Sequence, residues 1–460
     1  MTGIRYPVLL PTVAVIALAG WQGYAVAEPE AQPRAQSRIV LSEAALRQRP
    51  GIVIQGLTQS LIKGDVAGVR LFLPLYQQSW DGRADVLNIW AEALLARVEG
   101  RYDAAIAGYR KLISDYPELH VIRFQLAVTL FENQDNDNAL QQFQRLRSTL
   151  LPSGLNAQTE AYIRRIQARE SWSVSVALSY LDERNINNAP PRGTRIGRWQ
   201  AGKPESGRGV EYGLNATKTW SYGEGLFSEY DFSGYAEQYL NNHKYDRFIL
   251  KNKVGGGYRN VSTSLQVQPF IEQHFEGGGQ SRADEGVRYT LSVPGVDAEG
   301  RFYLSPHWRL DTDVEYGVKT YRGRHDLDGY RFLVSGSVYY FLSPEQYVWG
   351  GLSHRTENAK SESNAYRMNG VRAGWGYDWQ HGISWRLQGG YRYREYGGPD
   401  FFGIRQKVNE YSTMVTVWNR DWYFLGVTPK LSWIYTRADS NHPFYDIEKS
   451  RVVWSLGRDF

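Results

Sequence analysis

Histidine, cysteine, serine and paired carboxylates carry most protein chemistry, and their placement in these 460 residues matches no familiar catalytic spacing. The eight histidines, His120, His243, His274, His307, His325, His354, His381 and His442, are scattered, and none forms an HExxH or similar ligand pair. There is no cysteine, so thiolate zinc sites, iron–sulfur clusters, disulfides and cysteine nucleophiles are excluded. No G-x-S-x-G elbow and no Walker loop is present. Gly255-Gly256-Gly257 and Gly277-Gly278-Gly279 lack a strand–loop–helix context, and they read as places where a strand bends or a loop turns. His243, His325 and His442 fall in expected outer loops and read as surface polar residues. The expectation is therefore no catalytic residue, no metal site and no cofactor. The 53 basic and 48 acidic residues are interleaved, with a net charge of +5, so nucleic acid is not an expected partner.

The elements that position the remaining polar residues fall into two regions. Of 33 alanines, 22 precede residue 171, whereas 12 of 15 tryptophans and 35 of 46 glycines follow it. Alanine favours helices and tryptophan favours strands, so a helical region gives way to a β region near Ser171. Ahead of both, Arg5, the apolar run Val8–Trp21 and Ala25-Val26-Ala27 have the layout of a secretory signal peptide. Cleavage is expected after Ala27, giving a signal peptide at 1–27, a flexible leader at 28–46, a helical domain at 47–170 and a β domain at 171–460.

In the helical domain, Ala105 and Ala139 are 34 residues apart, as are Tyr109 and Phe143, with Pro117 and Pro152 after the second helices. That is the tetratricopeptide period. Stacked helix pairs leave a groove lined by their first helices. Trp90, Leu94, Arg97, Phe124, Gln125, Val128 and Phe131 are the candidates to line it and hold a segment of another protein. The alternative is that Leu94, Val128 and Phe124 pack between repeats.

From Trp172 onward the pattern has period two. Trp172, Val174, Val176, Leu178 and Tyr180 share one face of the first segment, and thirteen more segments run from 209–221 to 446–460. The mean hydropathy of −0.49 excludes a bundle of membrane helices, while 14% aromatics and abundant glycine suit an antiparallel membrane barrel. Connections alternate between tight turns, such as 305–307, 343–345, 380–382 and 420–422, and longer polar loops at 182–208, 276–285, 397–404 and 439–445. Aromatics gather near strand ends, as in Tyr339-Tyr340-Phe341 and Trp375–Trp379. The predicted architecture is α plus membrane β: tetratricopeptide-like helical repeats, then a 14-stranded antiparallel transmembrane β-barrel, in the outer membrane with the helices in the periplasm. Glu315, Lys319, Arg367, Arg386, Arg392, Lys407 and Lys430 are expected to face inward. Val452, Trp454, Leu456 and Phe460 alternate at the C-terminus and resemble the signal read by the barrel assembly machinery, with Arg458 in place of the usual aromatic.

The whole layout resembles the surface lipoprotein assembly modifier (Slam) family, the translocons of type XI secretion. The resemblance is strongest in RMNGVRAGWGYDW (367–379), WNRDWYFLGVTPKLSWIYTRADSNHPFYD (418–446) and RVVWSLGRDF (451–460). It implies a monomeric translocon that moves a lipoprotein or related secreted protein across the outer membrane, with cargo involved in metal or haem capture or host colonisation. It implies no catalytic residues. A polysaccharide exporter, or a host-interaction barrel using the 182–208 loop, is the alternative reading.

Overall fold

The computed structural model describes residues 43–79, 85–149, 151–278, 286–422 and 427–459. The signal segment with Ala27, most of the leader, and Phe460 lie outside the described residues. Among these residues eight helices come first: α1 Glu43–Arg47, α2 Pro50–Lys63, α3 Val66–Ser79, α4 Val86–Val98, α5 Tyr102–Asp115, α6 His120–Glu132, α7 Asn136–Arg147 and α8 Ser153–Arg169. Helix α1 begins within the segment read as leader.

The 34-residue register is physically explicit. Ala105, Tyr109 and Leu112 on α5 and Ala139, Phe143 and Leu146 on α7 are all essentially inaccessible. Small residues let the paired helices approach, and a fully buried aromatic fills the space between pairs, worth roughly 2–3 kcal/mol each relative to exposure. Asp85 caps α4 by accepting from the Asn88 N–H at 2.8 Å, and Asp135 caps α7 in the same way.

The β region is a single closed barrel of fourteen strands. They are β1 Ser173–Glu183, β4 Gly207–Gly223, β5 Leu226–Tyr239, β6 Arg247–Arg259, β7 Thr263–Glu276, β8 Arg288–Tyr303, β9 Trp308–Tyr321, β10 Gly329–Ser343, β11 Gln346–Glu357, β12 Tyr366–Asp378, β13 Ile383–Pro399, β14 Arg405–Asn419, β15 Thr428–Ser440 and β16 Ile447–Asp459. A small hairpin, β2 Arg195–Ile196 with β3 Trp199–Gln200, decorates the first long loop. Every barrel strand pairs antiparallel with its sequence neighbour, and β1 closes on β16. Strand alternation puts Val176, Leu178, Val314, Tyr316, Val334, Val338, Trp433 and Trp454 on the exposed outer face. This wall is apolar because lipid, not water, is its solvent.

Two local features follow from residue type. Pairing of β6 with β7 skips from Lys253–Phe270 to Gly256–Val267, where Pro269 offers no N–H. A Cβ on Gly257 would lie 1.9 Å from the Leu265 carbonyl oxygen, and one on Gly255 would lie 2.0 Å from that of Val267, so the triplet is a close approach of backbones. In three long loops the chain makes a short 3₁₀ turn ended by an aspartate. Asp246, Asp328 and Asp446 each accept the N–H at the end of the preceding strand, from Tyr239, Tyr321 and Ser440, at 2.7–2.8 Å.

Candidate functional site

The seven proposed groove residues occupy the joints between repeats. Trp90, Leu94, Gln125 and Val128 are buried. The Trp90 indole N–H donates to the Gln125 side-chain oxygen, and the Gln125 amide donates to the Leu61 carbonyl at 2.8 Å, so one glutamine ties α2, α4 and α6. Arg97 forms a two-pronged pair with Glu132 at 2.6 and 2.7 Å. Phe124 and Phe131 meet the ring of Tyr162 on α8, which also stacks on Phe143 at 5.1 Å. Trp90, Leu94, Gln125 and Val128 are thus interior contacts, while Arg97, Phe124 and Phe131 are half-buried at the joints. On α4 and α6 these positions face the next helix of the stack, so their apolar spacing reports packing.

The helical domain sits on the short-turn end of the barrel. Lys218 on β4 donates to the Glu170 carbonyl, just beyond α8. Arg169 donates to the Phe131 carbonyl at 3.1 Å and to Asn136 at 3.0 Å, with its guanidinium 3.6 Å from the Phe131 ring centre. Burial and the neighbouring Arg165 and Arg259 push the Arg169 guanidinium down to about 10, a mark of a desolvated cation wedged in the joint. Gly223, at φ +86, turns beside Asp137 and Asn138 of α7. Between α5, the α6–α7 turn and the β4–β5 and β6–β7 turns lies a cleft of about 280 Å³, lined by residues including Asp103, Arg110, Asp135, Glu224, Tyr258 and Arg259. No run of sequence signals this joint, because its residues come from separate helices, strands and turns.

Inside the barrel, charge is organised by wall. On β6–β10, Arg331 donates twice to Glu272 at 2.7 Å, and its Nε lies 2.9 Å from Glu315. Lys251 lies 2.5 Å from Glu315, over the ring of Phe270 at 4.0 Å. The carboxylates of Asp297, Glu299 and Asp313 converge closely enough to share a cation. Lys253, at 3.2 Å from Asp297 and 2.8 Å from Glu299, supplies it. Lys319 pairs with Glu357 at 2.7 Å. The opposite wall is basic: Arg386, Arg392, Arg394, Lys430, Lys449 and Arg451 share inward positions on β13, β15 and β16, while Glu410 faces Arg392 and Arg394.

Glu315, Lys319, Arg386, Arg392 and Lys430 therefore face inward as expected. Arg367 and Lys407 do not. They share the outward parity of the exposed Val371 and of Glu395, which Arg367 opposes in register and Lys407 pairs with at 3.5 Å. The rim beyond the apolar band faces polar surroundings and tolerates outward charge. Among the histidines, His442 is corrected from a surface residue to a buried one, 1% exposed and bonded to Asp400 of the neighbouring loop at 2.7 Å. His243 and His325 lie 3.1 Å from Asp246 and Asp328 in their loop turns. Val452, Trp454 and Leu456 point outward and are about half exposed.

A closed barrel with an apolar outer wall, a charged inner wall and helical repeats fixed at its short-turn end is an outer-membrane protein with a periplasmic domain. Comparison with known proteins specifies the kind. The family described as surface lipoprotein assembly modifier matches residues 172–460, and its N-terminal TPR repeats match residues 39–143. Surface lipoprotein assembly modifier 1 of Haemophilus influenzae is 36% identical over 424 residues, covering 92% of this chain and 88% of that protein. Surface lipoprotein assembly modifier of Pasteurella multocida is 35% identical over 450 residues, covering 94% and 87%. Hemophilin secretion modulator of Acinetobacter baumannii is 22% identical over 452 residues, covering 91% and 88%. The chain belongs to the surface lipoprotein assembly modifier family.

Proposed function

We propose that the protein takes a specific lipoprotein, or a related secreted protein, from the periplasm and delivers it to the cell surface through its barrel. The observation that carries this reading is the joint: a repeat domain held over the entry end of a charge-lined barrel by the bond from Lys218 to the Glu170 carbonyl and by the Gly223 turn against α7. A domain so placed can hand a polypeptide to the lumen. Charged side chains on both walls suit a polar chain and not an acyl chain. The relative named for hemophilin secretion supports secreted as well as lipid-anchored passengers. We assign the passenger to host colonisation or to metal or haem capture. The barrel works as a monomer in outer-membrane lipid, after recognition of Val452, Trp454, Leu456 and Phe460 by the assembly machinery, and the proposal needs no cofactor and no covalent step.

The test is deletion of this chain, followed by protease shaving of intact cells and mass spectrometry. At least one lipoprotein should become protected while remaining in the membrane fraction. An unchanged shaving profile, with a surface glycan lost instead, would replace this reading with polysaccharide export.

A further inference from the structure

The barrel closes unevenly. Strand β1 pairs with β4 over its whole length, Ser173–Glu183, but with β16 only from Ser175–Asp459 to Tyr180–Trp454. Beyond that rung, residues Ile447–Val453 of β16 pair with β15 alone, and Leu181–Glu183 of β1 pair with β4 alone. At the outer end of this seam, Leu181–Glu183 of β1 and the facing residues 451–453 of β16 are therefore two strand edges without a ladder. What spans it is electrostatic and lies on the lumen side: Arg451 at 2.5 Å and Lys449 at 3.7 Å from Glu183. Ladder hydrogen bonds would have to be broken one by one, whereas one carboxylate can release two cations in a single movement.

A second, independent feature sits at the same place. On β10 the outward residues Tyr330, Phe332, Val334, Gly336, Val338, Tyr340 and Leu342 carry no charge or amide along the strand. On β16 the corresponding apolar run is Val452, Trp454 and Leu456, followed toward the outside by Ser450 and Glu448. On β15 it is Pro429, Leu431, Trp433 and Tyr435, followed by Arg437 and Asp439. For tilted strands the apolar run spans roughly 30 Å of membrane normal at β10, roughly 15 Å at β15 and roughly 10 Å at β16. Lipid beside the seam must thin, or the outer leaflet must part, to avoid burying these polar groups.

We propose that the outer end of the β1–β16 seam is a lateral exit, and that the species leaving through it is a polypeptide bearing acyl chains. The inference rests on the lipoprotein passenger proposed above. A lumen walled by charge accepts the polypeptide but excludes its acyl chains, whose exposure to a polar lumen costs more with every methylene. A slit on the lumen side lets the polar chain travel inside while its lipid stays in the thinned leaflet beside β15 and β16. Release of Glu183 from Arg451 and Lys449 opens that slit.

The chain has no native cysteine, so the seam can be locked cleanly. Leu181 and Val453, one step beyond the Tyr180–Trp454 rung in the same register, face each other across the gap, both buried. Ser335 and Ser353 are an inward register pair between β10 and β11. The readout is protease exposure, on intact cells, of those lipoproteins whose exposure disappears when this chain is deleted. Oxidised Leu181→Cys with Val453→Cys should lower that exposure at least tenfold, and a reductant should restore it, which also shows the variant to be folded. Oxidised Ser335→Cys with Ser353→Cys should behave as wild type. Glu183→Cys with Arg451→Cys, which puts a covalent bond where the ion pair stands, provides a second lock should the first fail to assemble. Wild-type exposure with the seam oxidised would overturn the lateral exit and leave the translocon reading standing. A deletion that changes no lipoprotein would instead overturn the translocon reading itself.

Discussion

Replacing Arg331 by Met tests whether the β6–β10 wall is held by its ion pairs. The Arg331 side chain is 10% exposed, and its partners Glu272 and Glu315 are 11% and 6% exposed. In the variant two buried carboxylates are left with Lys251, which lies 2.5 Å from Glu315 and 3.9 Å from Glu272, and with His274 at 2.7 Å from Glu272. Removing one partner from a buried pair costs about 3–5 kcal/mol. Lys251 already neutralises one carboxylate and water can enter the lumen, so the lower end, about 3 kcal/mol, is expected. Arg331→Lys keeps the charge but loses the two-pronged geometry and should cost about 1–2 kcal/mol. Adding Glu272→Gln to Arg331→Met removes the stranded charge and should recover about 1–2 kcal/mol. The measurement is urea unfolding of the barrel in lipid vesicles, followed by the fluorescence of its tryptophans. The reasoning is refuted if Arg331→Met lies within about 1 kcal/mol of wild type, or if the double variant is no more stable than the single one.

The close approach at Gly257 makes a steric prediction: Gly257→Val should prevent formation of the compact, heat-modifiable barrel on gels, while Gly336→Ala, with nothing within 4 Å of its Cβ, should not. In the helical domain, Gln125→Met leaves the Trp90 N–H without its acceptor and the Leu61 carbonyl with the Gly64 N–H alone, a loss of about 1–3 kcal/mol. Hydrogen exchange should show it as faster opening of α6, and unchanged protection there would count against the three-helix tie. The Asp328 carboxyl is held down to about 2, first by the Tyr321 N–H and then by Lys360 and His325. Its pKa is below the unfolded value of about 3.9, so its contribution is full above that value and disappears as pH falls through about 2. Pepsin cleavage in the 322–328 loop should rise steeply between about pH 4 and pH 2, and Asp328→Asn should be cut readily at both.

How much of this was legible in the sequence depended on how many elements a feature needs. Period-two patterning is local, and it placed all fourteen strands to within a few residues; β5, for instance, was expected at 226–239 and is found there. The repeat register is also local, and Tyr109 and Phe143 are buried as their spacing required. The groove residues are ambiguous in sequence because an apolar i, i+4 pattern on a first helix reads the same whether it lines a concave face or meets the next helix. Trp90, Gln125 and Leu61 come from three helices, and only their assembly shows the tie. Parity fixes the inward face of a strand, but Arg367 and Lys407 were assigned by charge type. At the rim, charge ceases to report direction. The ion network around Arg331 draws on β6, β7, β9 and β10, separated by up to 80 residues, so no spacing rule could have assembled it.

The two halves of the barrel are built from the same strand pattern but held by different forces, and the difference has a direction. On β6–β11 the inward residues cross-link strands two or three apart through Lys251, Lys253, Glu272, Glu315, Arg331 and Glu357, so spreading that wall would strand several charges at once. On β12–β16 the inward face is glycine-rich, with Gly370, Gly374, Gly376 and Gly390, and its arginines and lysines outnumber their acidic partners. Like charges on one wall repel, and that repulsion is relieved by widening. Glu183, reaching across from β1, is the acid that draws Lys449 and Arg451 toward the seam. On the translocon reading proposed above, a negatively charged passenger segment in the lumen would compete for those same two cations and so would weaken the two ion pairs that Glu183 makes across the outer seam. The energy for opening can then come from the passenger's own interaction with the basic wall, with no nucleotide or covalent step required.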